Sequence, residues 1–370
     1  HAIVYVKDAS RSVGVAQSLI SPELRDQFVA DTKALYANRR ELYLSRQQKV
    51  DLIPFEDAKA NHATIAQNAI KPLKLGIHEI TVDLHELVDT IDWTPFFSSW
   101  QLHGKFPRVL EDEIVGEEAR RVYSDAKSML SKILDEKWLT AKARIGLFPA
   151  SNAGEDTILY TDESRTEILT KLHHVRQQTA RPQGKPNRSL ADFVGNEDYV
   201  GAFACTAGLG IEPYLEAFEA KHDDYASIML KALADRFAES FAEYLHKLVR
   251  TSLWGYAKDE TLDNEALIRE EYVGIRPAPG YPACPEHTEK GTIWELLKPE
   301  EIGMSLTSSY AMYPQSSVSG FYFADPEATY FGVGKIGRDQ VADYAKRKGW
   351  ELKEAEKWLA PNLGYEPDDE

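Results

Sequence analysis

The chain has 370 residues, enough for two or three domains, and its 43 Lys and Arg against 59 Asp and Glu leave a formal charge of −16. With 43% hydrophobic and 11% aromatic residues it can bury a sizeable core, which excludes wholesale disorder. The acidic balance, offset by no strongly basic run, argues against a nucleic-acid partner. Two cysteines, Cys205 and Cys284, are too few for a disulfide framework or a thiolate zinc site and fit a reducing cytoplasm; no stretch approaches the ~20 apolar residues that would cross a membrane.

In chain order, Ile3-Val-Tyr-Val within His1 to Asp8 reads as a short strand rather than a signal peptide. The lack of an initial Met suggests a fragment or a processed product. Ala9 to Leu19 follows as a helix, and Ser21-Pro22-Glu23 caps a second helix running to about Arg40. A strand and two helices look like the last piece of an α/β domain, residues 1–40. Residues 41–75 read as linker and approach, and residues 76–370 as a second domain. In it, Gly76 to Asp83 alternates as a strand and Leu84 to Val88 begins a helix or turn. Glu111 to Leu134 is helical, and strands at Ala143–Ala150 and Thr157–Tyr160 bracket a turn. Tyr199 to Gly208 is a further strand, and Pro213 to Val249 the longest helix. Phe321–Phe323 and Tyr330–Gly334 read as strands before a closing helix at Arg338 to Arg347. This irregular mixing, without βαβ alternation, predicts an α+β fold.

The chemistry-bearing motifs are few. A P-loop, a dinucleotide-binding glycine run and a nucleophile elbow are all missing, and Gly332-Val-Gly334 is too short to count. His173-His174 lacks a carboxylate or thiol at ligand spacing, so no metal is expected there. Asp83-Leu-His85 begins like a corrin-binding loop but has Val88 where that loop needs glycine. The segment from Glu270 to Lys290 stands apart, with four prolines and two glycines. It can be neither helix nor central strand, so it forms a rigid irregular wall. Arg276 at its start can clamp a carboxylate, Gly280 allows close backbone approach, and Tyr281 offers a flat face. A rigid surface turn with Arg276 in a salt bridge satisfies the same composition. On the long helix Asp235, Glu239 and Glu243 share one stripe away from Phe237 and Phe241, which by itself reads as a solvated face.

Arg276-Pro-Ala-Pro-Gly-Tyr-Pro-Ala-Cys-Pro-Glu-His-Thr-Glu-Lys closely resembles the signature of the C-terminal activation domain of cobalamin-dependent methionine synthase. Ile91-Asp-Trp-Thr-Pro, Gly104-Lys-Phe-Pro, Gly146-Leu-Phe-Pro-Ala, Arg176-Gln-Gln, Leu190-Ala-Asp-Phe, Lys231-Ala-Leu-Ala-Asp-Arg and Trp358-Leu-Ala-Pro-Asn-Leu-Gly-Tyr follow in that family's order. The resemblance implies mixed helices around an irregular antiparallel sheet, with residues 1–40 as the tail of a cobalamin-binding domain. It implies an S-adenosylmethionine site: Arg276 for the ligand carboxylate, Asp92 for its ammonium, Ala278 and Gly280 around the adenine with Tyr281 beside it, and Tyr330–Phe331 as the late aromatic pair. Many relatives carry two tyrosines there, so Phe331 loses a possible hydroxyl contact. Glu239 and Glu270 are further candidates, Asp235 a lesser one. No general base or other catalytic side chain is expected, because a methyl moves and no proton need be abstracted.

The implied role is to bring S-adenosylmethionine against oxidised cobalamin, held mainly by a domain largely absent from the chain, so that reductive methylation restores the cofactor. The implied partners are the cobalamin-binding domain of the same polypeptide and a flavodoxin-type electron donor; zinc belongs only to the full-length enzyme. The fragment is expected to bind ligand without completing methyl transfer from methyltetrahydrofolate to homocysteine. Two other classes remain: a docking module without ligand, and a free-standing methyltransferase. The intact Arg276, Gly280 and Tyr281 disfavour the first, and the missing glycine-rich loop disfavours the second.

Overall fold

The computed structural model describes residues 3–6, 9–46, 51–64 and 69–368. They fall into two units, His1–Asp51 and Leu52–Glu370.

In the first unit, α1 (Ala9–Ile20) and α2 (Arg25–Arg46) are joined by a tight turn in which the Ser21 carbonyl accepts from Arg25 N–H at 2.9 Å. The strand expected at the start is not formed. Ile3–Val6 is irregular, and the Tyr5 N–H goes to the Tyr36 hydroxyl (2.9 Å), not to a ladder partner. The remaining residues of that expected strand, His1, Ala2, Lys7 and Asp8, lie outside the described ones. The second helix runs to Arg46 because Glu41 to Arg46 contains no helix breaker. Residues 41–46 are therefore helix and not linker; residues 47–50 lie outside the described ones.

The second unit takes hold of the chain at Leu52, earlier than the reading of a linker to residue 75. Ile53 N–H bonds the Gln178 carbonyl, and Phe55 N–H, at the start of α3 (Phe55–Ala60), bonds the Asp339 carboxylate at 2.7 Å. Then come β1 (Gly76–Val82), a 3₁₀ turn over Leu84–Thr90, α4 (Trp93–Ser99), α5 (Gly116–Asp135), β2 (Thr140–Ala153), β3 (Asp156–Tyr160), β4 (Ile168–His173) and β5 (Asp198–Leu209). Next are α6 (Glu212–Glu219), α7 (Asp224–Leu248), α8 (Asn264–Ile268), α9 (Glu289–Leu297), β6 (Ser305–Leu306), β7 (Met312–Tyr313), β8 (Ser317–Tyr322), α10 (Arg338–Lys348) and α11 (Leu352–Trp358). Six strands form one antiparallel sheet in the order β4-β3-β2-β5-β8. The sixth, β1, pairs with the first half of β2, while β3 pairs with its end. β6 and β7 make a separate pair.

Both faces of this sheet are covered, which is why Tyr199 to Gly208 reads as an unbroken apolar run. Ala143, Ile145, Leu147, Phe203 and Cys205 face one way, into a core with Leu233, Phe237 and Phe241 of α7. Phe148, Ala150, Val200 and Ala202, of the other parity, meet Ile293, Trp294 and Leu297 of α9. A third cluster gathers Ile336, Val341 and Tyr344 with Ala355 and Leu359 of the closing helices. The α+β architecture of mixed helices around an antiparallel sheet stands as read.

Several elements of this unit depart from the sequence reading. The expected helix from Pro213 to Val249 is two: His222 takes a φ of +55°, and the Asp223 carboxylate caps α7 by accepting from Ala226 N–H at 3.0 Å. The helix expected from Glu111 begins at Gly116, because the Asp112 carboxylate turns the chain by accepting from Ile114 and Val115 N–H. Tyr330–Gly334 is no strand; Val333 N–H goes to the Pro282 carbonyl at 2.9 Å, which ties this segment to the proline-rich wall. β4 forms although its sequence, Ile-Leu-Thr-Lys-Leu-His, carries no clear alternation.

His173 ends β4, and its Nδ1 lies 3.0 Å from an Asp156 carboxylate oxygen. His174 is buried with Nε2 3.0 Å from the Thr157 hydroxyl and no partner on Nδ1. Burial pushes its pKa down to about 3 from the usual 6.5. The folded chain thus buries a neutral imidazole that the unfolded chain protonates below about pH 6.5. Its stabilising contribution is intact above that value and declines as the pH falls towards 3. Denaturant midpoints from pH 7 to pH 4 should fall with acid, and His174→Gln should flatten that slope by one proton. An unchanged slope contradicts the assignment.

Candidate functional site

The site assembles where the proline-rich wall meets the edge strand β8 and the helix α7. Ile275 and Phe323 exchange backbone hydrogen bonds at 3.0 Å in both directions, and Phe321 N–H bonds the Pro277 carbonyl at 2.9 Å. The wall therefore continues the sheet for three residues and then leaves it. Gly320 makes this possible, since a Cβ there would lie 2.6 Å from the Pro277 oxygen. Beyond it the chain folds back on itself: Tyr281 N–H bonds the Ala278 carbonyl, Gly280 N–H the Cys284 carbonyl (2.7 Å) and Cys284 N–H the Tyr281 carbonyl (2.9 Å). Tyr281 stands at the tip, 62% exposed and free to receive a planar partner.

Arg276 is the charged centre, but it is not alone. Its Nη1 lies 2.7 Å from Oε2 of the buried Glu243, 3.2 Å from His246 Nδ1 and 3.3 Å from the Tyr272 hydroxyl. Its backbone N–H bonds the Tyr330 hydroxyl (3.0 Å), which also touches the Tyr272 hydroxyl at 3.2 Å. Burial opposes the charge, yet the Glu243 carboxylate and the two phenols outweigh it and hold the guanidinium pKa above its ordinary value. His246 is driven the other way: burial, then Arg250 and Arg276, keep it well below its usual pKa and neutral. A neutral ring can accept from Arg276 at Nδ1 and direct Nε2–H towards the Tyr256 hydroxyl at 3.5 Å. Arg250 is taken up by Glu260 at 2.6 and 2.7 Å and stays 3.7 Å from Glu243. Tyr272 lies against both cations, 4.5 Å from Arg250 and 5.6 Å from Arg276.

Among the described residues, all three side-chain contacts of Arg276 reach the same nitrogen. The Nε–Nη2 edge of the fork is left over, and the side chain keeps 20% of its surface exposed. That edge has the geometry for a carboxylate. Glu243 Oε1 is buried without a hydrogen-bond partner and lies 3.7 Å from Nη2 of Arg250.

The structure brings most of the candidate residues together. The acidic stripe of α7 faces the wall and the end of the sheet. Asp235 accepts from the buried Ser316 at 2.8 Å, and exposed Glu239 lies close enough to Tyr281 and Cys205 to raise both pKa values, after burial. Glu243 sits on Arg276. This corrects the expectation of a solvated face: only Glu239 of the three is exposed. Asp92 caps α4 by accepting from Thr94 N–H at 2.9 Å, and Thr90, two residues earlier, touches Ser240 beside Glu239 at 2.6 Å. Ala278, Gly280, Tyr281 and Tyr330 lie on the wall or against it. Phe331 turns into apolar packing, 6.2 Å from the Phe193 ring. Glu270 is exposed at the far end of α8 with a φ of +58° and no side-chain partner among the described residues. Glu243 was visible as the third member of the stripe, whereas no local signal pointed to His246 or Tyr272.

Asp83 and His85 form a local cap, with Nδ1 2.7 Å from the carboxylate. A hollow of about 380 Å³ lies elsewhere, between Lys59, Thr64, Asn152 and Arg176. Arg176 offers it no open charge, because Glu155, Asp192 and the Asn187 carbonyl occupy all three of its nitrogens.

An antiparallel sheet with helices on both faces thus carries a proline-stiffened wall whose arginine is engaged by side chains through one nitrogen. The model of the family described as vitamin B12-dependent methionine synthase, activation domain, matches residues 83–349, and the chain belongs to that family. A crystal structure of the MetH reactivation domain bound to AdoHcy is similar at 53% identity and a TM-score of 0.83, covering 85% of this chain and 100% of that one.

Gly280 holds the wall at a φ of +97°, and a Cβ there would clash with the His287 ring. Gly280→Ala should therefore destabilise the domain by about 1–3 kcal/mol in denaturant unfolding. Adding His287→Ala should recover the steric part and leave the backbone part. Full recovery, or no loss at all, contradicts the geometry.

Proposed function

We propose that this chain binds S-adenosylmethionine along the wall and presents its methyl group to oxidised cobalamin, so that reductive methylation reactivates a cobalamin-dependent methionine synthase. The observation that carries the reading is the half-engaged guanidinium of Arg276, in a chain of the activation-domain family. The AdoHcy named for the similar structure is the demethylated form of the same ligand and supports it.

The residues fit the ligand. Arg276 takes the carboxylate on its open edge, and Asp92 accepts from the ammonium. The backbone around Ala278 and Gly280 holds the adenine with Tyr281 beside it, and Tyr330 fixes the backbone that carries Arg276. Glu239 and Glu270 supply negative potential towards the sulfonium. These groups bind and orient; none moves a proton, so the chain's contribution is proximity and electrostatics. Cobalamin supplies the cobalt nucleophile, and no residue of this chain is assigned to hold it. The cobalamin-binding domain of the same polypeptide, a flavodoxin-type electron donor and a cytoplasmic setting belong to the same proposal, as does residues 1–40 being the tail of the cobalamin domain. So does the lack of methionine synthase turnover by the chain alone.

Calorimetric titration with S-adenosylmethionine should saturate, and Arg276→Ala should weaken binding at least about tenfold, as expected for a charged hydrogen bond of about 1.5–3 kcal/mol. Arg276→Lys should recover little of it, since an ammonium cannot engage Glu243 and a ligand carboxylate as a planar fork does. Absence of saturation at millimolar ligand would refute the reading.

A further inference from the structure

We propose that Glu243 is a positioning residue for ligand recognition: its carboxylate pins Nη1 of Arg276 so that the remaining edge of the guanidinium is held towards the ligand carboxylate. The inference rests on the ligand reading above.

Three features of the buried cluster point to it. First, an arginine side chain has several rotatable bonds, and an unpaired guanidinium in a half-buried site would sample many poses; Glu243 at 2.7 Å and His246 at 3.2 Å converge on one nitrogen and fix one pose. Second, the carboxylate lies closest to this cation: Arg250 gives two hydrogen bonds to Glu260 and meets Glu243 only through Oε1 at 3.7 Å, which leaves Oε2 to Arg276. Third, the grip is one-sided: Glu243 Oε1 makes no hydrogen bond and faces Arg250 Nη2 at 3.7 Å, so Arg276 is held through Oε2, closest at Nη1. A bidentate pair would have closed both edges to a ligand.

The test compares S-adenosylhomocysteine with 5′-methylthioadenosine, which keeps base, ribose and sulfur but lacks the amino-acid end. Glu243→Ala should weaken S-adenosylhomocysteine binding on the order of tenfold. Glu243→Gln, whose amide oxygen can still accept from Nη1, should weaken it less, and neither should change 5′-methylthioadenosine binding. In an Arg276→Ala background, replacing Glu243 should add no further loss. Equal loss for both ligands, unchanged affinity or tighter binding overturns the proposal and leaves Glu243 a structural or competing ion pair. Where Glu243→Ala does not fold, as judged by its melting curve, the ligand ratio of Glu243→Gln decides alone. If the unmodified chain binds neither ligand, the ligand reading fails and takes this proposal with it; if it binds and only the Glu243 variants disagree, the ligand reading stands.

Discussion

A guanidinium withdrawn from water needs an anion, and a guanidinium that recognises a ligand must not be fully consumed by one. Arg276 meets the first demand through Glu243, whose closest approach is to Nη1, and the proposed ligand role needs the second. Much of the domain can be understood as the scaffold for that contact. α7 must lie flat on the sheet to bring Glu243 to the right depth, which its Leu233, Phe237 and Phe241 face does against Ile145 and Phe203. The wall must leave β8 at a fixed point, which Gly320 and the backbone pairing of Ile275 with Phe323 determine. Tyr272 and Tyr330 then brace the arginine from side chain and backbone.

The rest of the cluster balances charge without spending the open edge. Arg250 and Glu260 close on each other, and neutral His246 accepts where a protonated ring would repel. A zwitterionic amino-acid end brings equal and opposite charges, so it can enter without upsetting that balance. The added sulfonium of the proposed ligand would find the exposed carboxylate of Glu239 near Tyr281.

Most strands of the sheet and the irregular wall were legible because each depends on local pattern: alternation, apolar runs and proline density. Arg276, Gly280 and Tyr281 were legible within that wall, and the family signature gave Asp92 its place. What could not be read depends on chain segments meeting. Glu243 looks like one of three carboxylates on a solvated stripe until the wall folds over it. His246 and Tyr272 carry no spacing that separates them from core residues. The break before α7 follows from a single positive φ at His222, and the loss of the expected strand at Tyr330–Gly334 from its attachment to Pro282 in place of a sheet neighbour. In each case tertiary context overrode a fair local expectation.

The most direct measurement is a crystal structure of this chain with S-adenosylhomocysteine. The ligand carboxylate should lie on the Nε–Nη2 edge of Arg276, with Glu243 still on Nη1 and the base beside Tyr281. A ligand seated elsewhere, such as in the hollow near Arg176, or one whose carboxylate has displaced Glu243 from Nη1, would contradict it.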